Sequence, residues 1–156
     1  MLNRQQVMKL LHHRPPYLLV EEVSEISADQ ITTHYFLNGD EYFFKGHFPG
    51  APVMPGAMMQ EMATQSAGIL LTQHYSPVEN YDSETTKGYA LGVLSRVKGT
   101  KYRGFAKPGD QLTMKVELKE RNGNAFDFVG KLFRAEENLM RIEFRLVNIE
   151  DSPLYS

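Results

Sequence analysis

No cysteine occurs among the 156 residues, so disulfides, thiolate metal sites and cysteine nucleophiles are excluded together. No charge of one sign dominates: the formal net charge is -2, which gives no overall basic field for nucleic acid. No apolar run suits a membrane span, because the most apolar window, residues 56–71, is interrupted by Gln60, Glu61 and Gln65. The opening MLNRQQVMK lacks the apolar core of a signal peptide, so a cytoplasmic location is expected. Nucleotide fingerprints are missing too. The glycines of residues 46–56 match none, and prolines interrupt them where amide donors would be needed. There is no G-x-S-x-G elbow. His12, His13, His34 and His74 show no metal-ligand spacing, so structural or surface roles are expected of them and no metal.

What is present suits one compact domain over residues 1–156, since a hydrophobic share of 42% at this length supplies a real core. Asn3 with Gln6 three positions on predicts a capping box opening a helix over about residues 4 to 11, stopped by Pro15 and Pro16. YLLVEEVSEIS and QITTHYFL read as strands, the second rich in β-branched and aromatic residues. GAMMQEMATQSAGILLTQHY, free of proline and rich in Ala, Met, Leu and Gln, predicts about five helical turns. Its apolar residues cover most of the wheel, as in a helix enclosed by other structure. SPVENYDSETTK, residues 76–87, reads as a surface loop. QLTMKVEL and MRIEFRL alternate as half-buried strands, and Asn122-Gly123 marks an antiparallel hairpin. Five or more antiparallel strands curled around one apolar helix make an α+β domain, with a second subunit available to cover what the strands do not.

Between strands and helix lies FFKGHFPGAPVMPG, residues 43–56. Pro49, Pro52 and Pro55 fix φ, while Gly46, Gly50 and Gly56 permit turns and close backbone approach, so the loop is rigid and irregular around His47. Pro55-Gly56 stands at the start of the long helix, where amides lack intrahelical partners and the dipole is positive, a place that can hold an oxyanion. Glu61 follows in the second turn, with Gln65 at i+4 on the same face. A carboxyl, an amide to orient it, a held imidazole and free amides are the parts of a proton-transfer site. The same pattern fits a bland alternative, in which Glu61, Thr64, Gln65 and Gly68 are a solvent-facing stripe and His47 merely bonds a loop carbonyl.

LLHHRPPYLLVEEV followed by GHFPGAPVMPGAMMQEMATQSAG resembles the FabZ and FabA families of 3-hydroxyacyl-[acyl-carrier-protein] dehydratases. The resemblance covers residues 10–73 and extends more loosely through ALGV and KPGDQL toward residue 112. It implies a hotdog fold, a long helix wrapped by an antiparallel sheet. It places the catalytic histidine on His47 and the acid on Glu61, glutamate as in the FabZ type. It puts the oxyanion-binding amide on Gly56, the carbonyl steadying the histidine on Val53, and the glutamine supporting the acid on Gln65. The implied reaction is dehydration of a (3R)-3-hydroxyacyl thioester to the trans-2-enoyl thioester, in fatty acid or related acyl or polyketide biosynthesis, with no metal or redox cofactor. A homodimer or trimer of dimers sharing its sites is implied as well. The stretch from residue 90 to 112 is longer than the FabZ segment and opens more like FabA. Residues 85–109 carry Lys87, Arg96, Lys98, Lys101, Arg103 and Lys107 and no acid, so Lys98, Lys101, Arg103 and Lys107 are candidates for docking an acidic carrier protein. Solvated strand edges are the competing reading of that charge. The rival functions are a hotdog acyl thioesterase and a non-catalytic acyl-binding module.

Overall fold

The computed structural model describes residues 1–155. Helix α1 spans Arg4–Leu10, and its start is the expected capping box: Gln6 N–H donates to the Asn3 side chain and Asn3 N–H to the Gln6 side chain, both at 2.9 Å. Strands β1 (Glu22–Ile26) and β2 (Gln30–Phe36) follow, then a short 3-10 turn at Tyr42–Phe44 and helix α2 at Gly56–Tyr75. Four longer strands complete the fold: β3 (Tyr89–Tyr102), β4 (Gln111–Asn122), β5 (Ala125–Arg134) and β6 (Glu137–Glu150). A 3-10 turn at Ser152–Tyr155 comes last.

All six strands join one antiparallel sheet in the order β1-β2-β4-β5-β6-β3. Helix α2 lies against β2 through β6. From Met62 to Thr72 every residue of α2 is buried, which is why its apolar residues run around the wheel instead of forming a stripe. Small residues let it settle onto the sheet: a Cβ on Gly130 of β5 would lie 3.3 Å from the Ala63 methyl. The inward residues of β4, Leu112, Met114 and Val116, and of β6, Met140, Ile142, Phe144 and Leu146, are all buried beneath it. The β4–β5 hairpin turns over Gly123-Asn124, directly after Asn122, with φ of 61° at the glycine.

Two expectations need correction. The strand expected over YLLVEEVSEIS shortens to Glu22–Ile26, although Leu18, Leu19 and Val20 are buried. The cause is a side chain standing in for a strand: the Gln65 amide accepts from Leu19 N–H at 2.7 Å and donates to the Tyr17 carbonyl at 2.9 Å, satisfying backbone that a sheet ladder would otherwise pair. The loop of residues 76–87 is also less free than its composition implies. Tyr81 and Ser83 are buried in it, Ser83 N–H donates to the Lys9 carbonyl at 2.7 Å, and His12 and Tyr81 share a 2.5 Å hydrogen bond.

The two sheet edges differ. Strand β1 is short and bridged to Leu2, whereas β3 offers fourteen residues of edge, with Leu94, Val97 and Tyr102 each at least 39% exposed. A long, apolar, unpaired edge is an open template for another strand.

Candidate active site

The loop after the 3-10 turn fixes His47 before any side chain is considered. His47 N–H donates to the Phe44 carbonyl at 3.2 Å, Val53 N–H to the His47 carbonyl at 2.8 Å, and Phe48 and Ala51 exchange backbone bonds across Gly50, whose φ is 76°. The imidazole then takes a defined tautomer. Its Nδ1 lies 3.0 Å from the Val53 carbonyl, and since a carbonyl can only accept, Nδ1 carries the proton and Nε2 keeps its lone pair. The ring stacks on Phe48, centroids 4.4 Å apart. The loop carbonyl that His47 bonds is that of Val53, a contact that both readings of the loop allow.

Gly56 opens α2, and its N–H has no hydrogen-bond partner among the described residues. The Tyr102 ring of β3 rests against it: a Cβ on Gly56 would come within 2.8 Å of that ring, and the Tyr102 hydroxyl donates to the Gly56 carbonyl at 3.0 Å. Glycine is needed here for the close approach, not for its φ.

One turn further, Glu61 is gripped by Gln65. The Gln65 Nε2 donates to Glu61 Oε2 at 2.9 Å. The orientation of that amide follows from its other bonds, because Leu19 N–H requires an acceptor and the Tyr17 carbonyl requires a donor. Glu61 Oε2 thereby accepts a hydrogen bond that fixes the orientation of the carboxyl. The solvent-facing stripe is excluded: Thr64 and Gln65 are 8% and 1% exposed, and Glu61, Thr64 and Gly68 face a cavity instead of bulk water. We expect Gln65→Leu to strand the buried Leu19 N–H and release Glu61, costing about 1–3 kcal/mol in urea denaturation and lowering kcat in the same variant.

Within one chain the His47–Val53 and Gln65–Glu61 pairs stay separate, as no hydrogen bond or ion pair joins His47 to Glu61 among the described residues. Glu61 instead meets His13, whose Nε2 lies 3.7 Å from Oε2. Sequence reasoning missed His13, because nothing in its spacing singled it out. Its ring stacks on Tyr17, and its Nδ1 is buried without a partner. Burial pushes the His13 imidazole below its ordinary pKa, against the upward pull of the Glu61 carboxylate.

The four docking candidates divide. Lys98 is committed, its Nζ 3.1 Å from Asp127 Oδ2, with Arg145 on the same carboxylate at 2.7 Å. Arg145 foremost, and Lys98 after it, hold the Asp127 carboxyl down to about 2 despite its burial. Lys98 thus has a structural partner that the linear charge run conceals. Lys101, Arg103 and Lys107 are exposed, and the first two flank Tyr102 beside Gly56. The sheet register adds cations that the linear run lacks: Lys101 stands opposite Arg141, Arg141 opposite Lys131, and Lys131 opposite Lys115, one row across four strands. No ion pair joins Lys101 or Lys131 among the described residues. A concavity of about 720 Å³ beside Arg121, Tyr75 and Phe126 lies at the far end of α2 from Gly56 and shares nothing with the His47 and Glu61 groups.

A long helix cradled by a single antiparallel sheet, with an anchored imidazole and an amide-held carboxyl near its start, defines a hotdog-fold protein equipped for acid–base chemistry. The chain belongs to the FabA-like domain family, whose model matches residues 11–142. It is 37% identical over 135 residues to a 3-hydroxyacyl-[acyl-carrier-protein] dehydratase FabZ of Thiobacillus denitrificans, covering 83% of this chain and 86% of that one. A protein of the same description from Campylobacter jejuni is 30% identical over 134 residues, covering 85% and 88%. Among solved structures, the dehydratase heterocomplex ApeI:P from Xenorhabdus doucetiae superposes with a TM-score of 0.66 at 17% identity, over 92% of this chain and 90% of that one. A hypothetical thioesterase with coenzyme A from Streptococcus pneumoniae gives 0.57 at 13%, over 83% and 85%. At such identities these two share the fold alone. No helix among the described residues is long and apolar enough to cross a membrane.

Proposed function

We propose that this chain dehydrates a 3-hydroxyacyl thioester borne on an acyl carrier protein, giving the trans-2-enoyl thioester in fatty acid or related acyl-chain biosynthesis. The observation that carries the reading is the pair of anchors: His47 Nδ1 bonds the Val53 carbonyl, which leaves Nε2 for the role of base, and Gln65 Nε2 donates to Glu61 Oε2, which holds the carboxyl proposed as the acid. The α-proton of a thioester is weakly acidic, so its removal by His47 needs the developing charge on the thioester oxygen to be met. The unpartnered Gly56 N–H at the start of α2 suits that task. Glu61 then gives its proton to the C3 hydroxyl, which leaves as water. His47 ends protonated and Glu61 ionised, and one proton passing between them through solvent restores both.

Two chains supply each site in this proposal, which accords with the absence of any hydrogen bond or ion pair between His47 and Glu61 within one chain, among the described residues. The fourteen-residue edge of β3 offers the junction, with Tyr102 beside Gly56 at one end. Gly92, at φ 72°, lets the same strand approach Gly68 of α2, where a Cβ would stand 3.2 Å from the Gly68 Cα.

The test is mass spectrometry of 3-hydroxyacyl carrier proteins after incubation with the protein. Loss of water supports the proposal, release of the free acid favours the thioesterase that the fold also accommodates, and no change favours a binding module. Lys101 and Arg103 flank the same end of the site and are proposed to receive the acidic carrier. Lys101→Glu with Arg103→Glu should raise KM for carrier-bound substrate much more than for a small thioester mimic. Equal effects on both would place the dock elsewhere.

A further inference from the structure

A channel of about 450 Å³ leads away from Glu61 along α2. Its floor is one helix face, Glu61, Thr64, Gly68 and Thr72, about 16 Å long at the helical rise. Residues 10–13 form one wall and residues 89–94 of β3 the other. Three of the polar side chains along it already have partners. Thr64 and Thr72 donate their hydroxyls back to the Glu61 and Gly68 carbonyls at 2.9 and 3.0 Å, and His12 bonds Tyr81. What remains for an occupant is largely methyl, ring and backbone surface, with His13 Nδ1 buried and unpartnered at the Glu61 end.

Strand β3 runs antiparallel to α2 here, with Tyr102 at Gly56 and Gly92 at Gly68, so its first residues lie toward Thr72. The chain's last described turn sits there as well. Asp151 N–H donates to the Gly88 carbonyl at 3.1 Å, Gly88 N–H donates to Asp151 Oδ2 at 3.2 Å, and Leu154 N–H closes the turn on the Asp151 carbonyl at 2.9 Å. This clasp brings Leu154 and Tyr155 to the lining of the channel, although they are 62% and 82% exposed. Two apolar side chains held by a backbone clasp, yet burying little of themselves, gain burial when an apolar chain reaches them.

We propose that the C-terminal turn, through Leu154 and Tyr155, is the end wall of the acyl channel and limits the length of chain the site accepts. The proposal rests on the dehydratase reading, which supplies the acyl substrate. Shorter chains end before the wall and do not feel it. Longer chains must displace it.

The experiment compares wild type with Leu154→Ala/Tyr155→Ala over a series of 3-hydroxyacyl thioesters of increasing length. Both side chains bury little, so the variant should keep its fold. Its kcat/KM for the shortest substrates should match wild type, while that for chains beyond the wild-type limit should rise about tenfold or more, the scale set by methylenes in an apolar pocket. An unchanged length profile overturns the proposal. A second readout does not need turnover: acyl pantetheine thioesters with a terminal diazirine are photolysed on wild-type protein and the labelled peptides mapped. Labelling of residues 152–155 above a threshold length supports the wall, and labelling elsewhere at every length overturns it. Labelling at the turn by a protein that dehydrates none of the series would keep the wall and sink the dehydratase reading instead.

Discussion

Turnover by His47→Ala or Glu61→Gln is expected to fall by about 10²- to 10⁴-fold, the usual worth of a positioned acid or base, with the fold intact. The geometry makes these clean substitutions. His47 is half-buried and its side chain makes one hydrogen bond, to the Val53 carbonyl, while the loop keeps its own backbone bonds across residues 44–53. A glutamine at position 61 matches the size of the carboxyl, and its oxygen can still accept from Gln65 Nε2, so the proton is lost and the placement kept. Circular dichroism and thermal melting establish the fold, and single-turnover rates on a 3-hydroxyacyl carrier protein give the chemistry. A folded variant dehydrating at near the wild-type rate would remove that residue from the mechanism.

The parts of this fold that were readable in advance are those whose cause is local. Helix α2 was predicted to its observed bounds, because twenty residues without proline between Pro55 and Ser76 leave little else to form. The hairpin marked by Asn122-Gly123 and the alternation in β4 and β6 were equally plain. Strand β3 was not predicted as one continuous strand. It lies at an edge, pairs with β6 through three register shifts, and has no buried residue to impose an alternating pattern. The end of the first predicted strand failed for a related reason: Gln65 reaches across from α2 to satisfy Leu19 and Tyr17, a partnership between residues 46 and 48 positions apart. The site divides in the same way. His47 and Gly56 stood out as candidates because proline and glycine mark the loop, Glu61 with Gln65 because i+4 spacing is a helical neighbour, and Val53 only through the family resemblance. His13 came to light only when α2 and the segment after α1 packed together, and the Lys98–Asp127–Arg145 cluster only when β3, β6 and β5 aligned.

Mixing the two inactive variants should restore activity, and this is the most demanding consequence of a site built from two chains. In a dimer of one His47→Ala chain and one Glu61→Gln chain, two-fold symmetry pairs the lesions at one site and leaves the other with an intact histidine and an intact glutamate. Random exchange makes half the dimers mixed, and each mixed dimer has one working site of two, so about a quarter of wild-type activity should return as an upper value. Sites completed within a single chain would retain a lesion in every combination. The lack of any bond within one chain between the Val53-anchored imidazole and the Gln65-anchored carboxyl, and the unpaired β3 edge that meets Gly56 through Tyr102, favour the shared arrangement. Co-expressing the two variants with different tags, purifying dimers that carry both, and measuring dehydration decides it. Doubly tagged dimers that stay as inactive as their parents would end the shared-site proposal, and would require a motion within one chain that brings His47 toward Glu61.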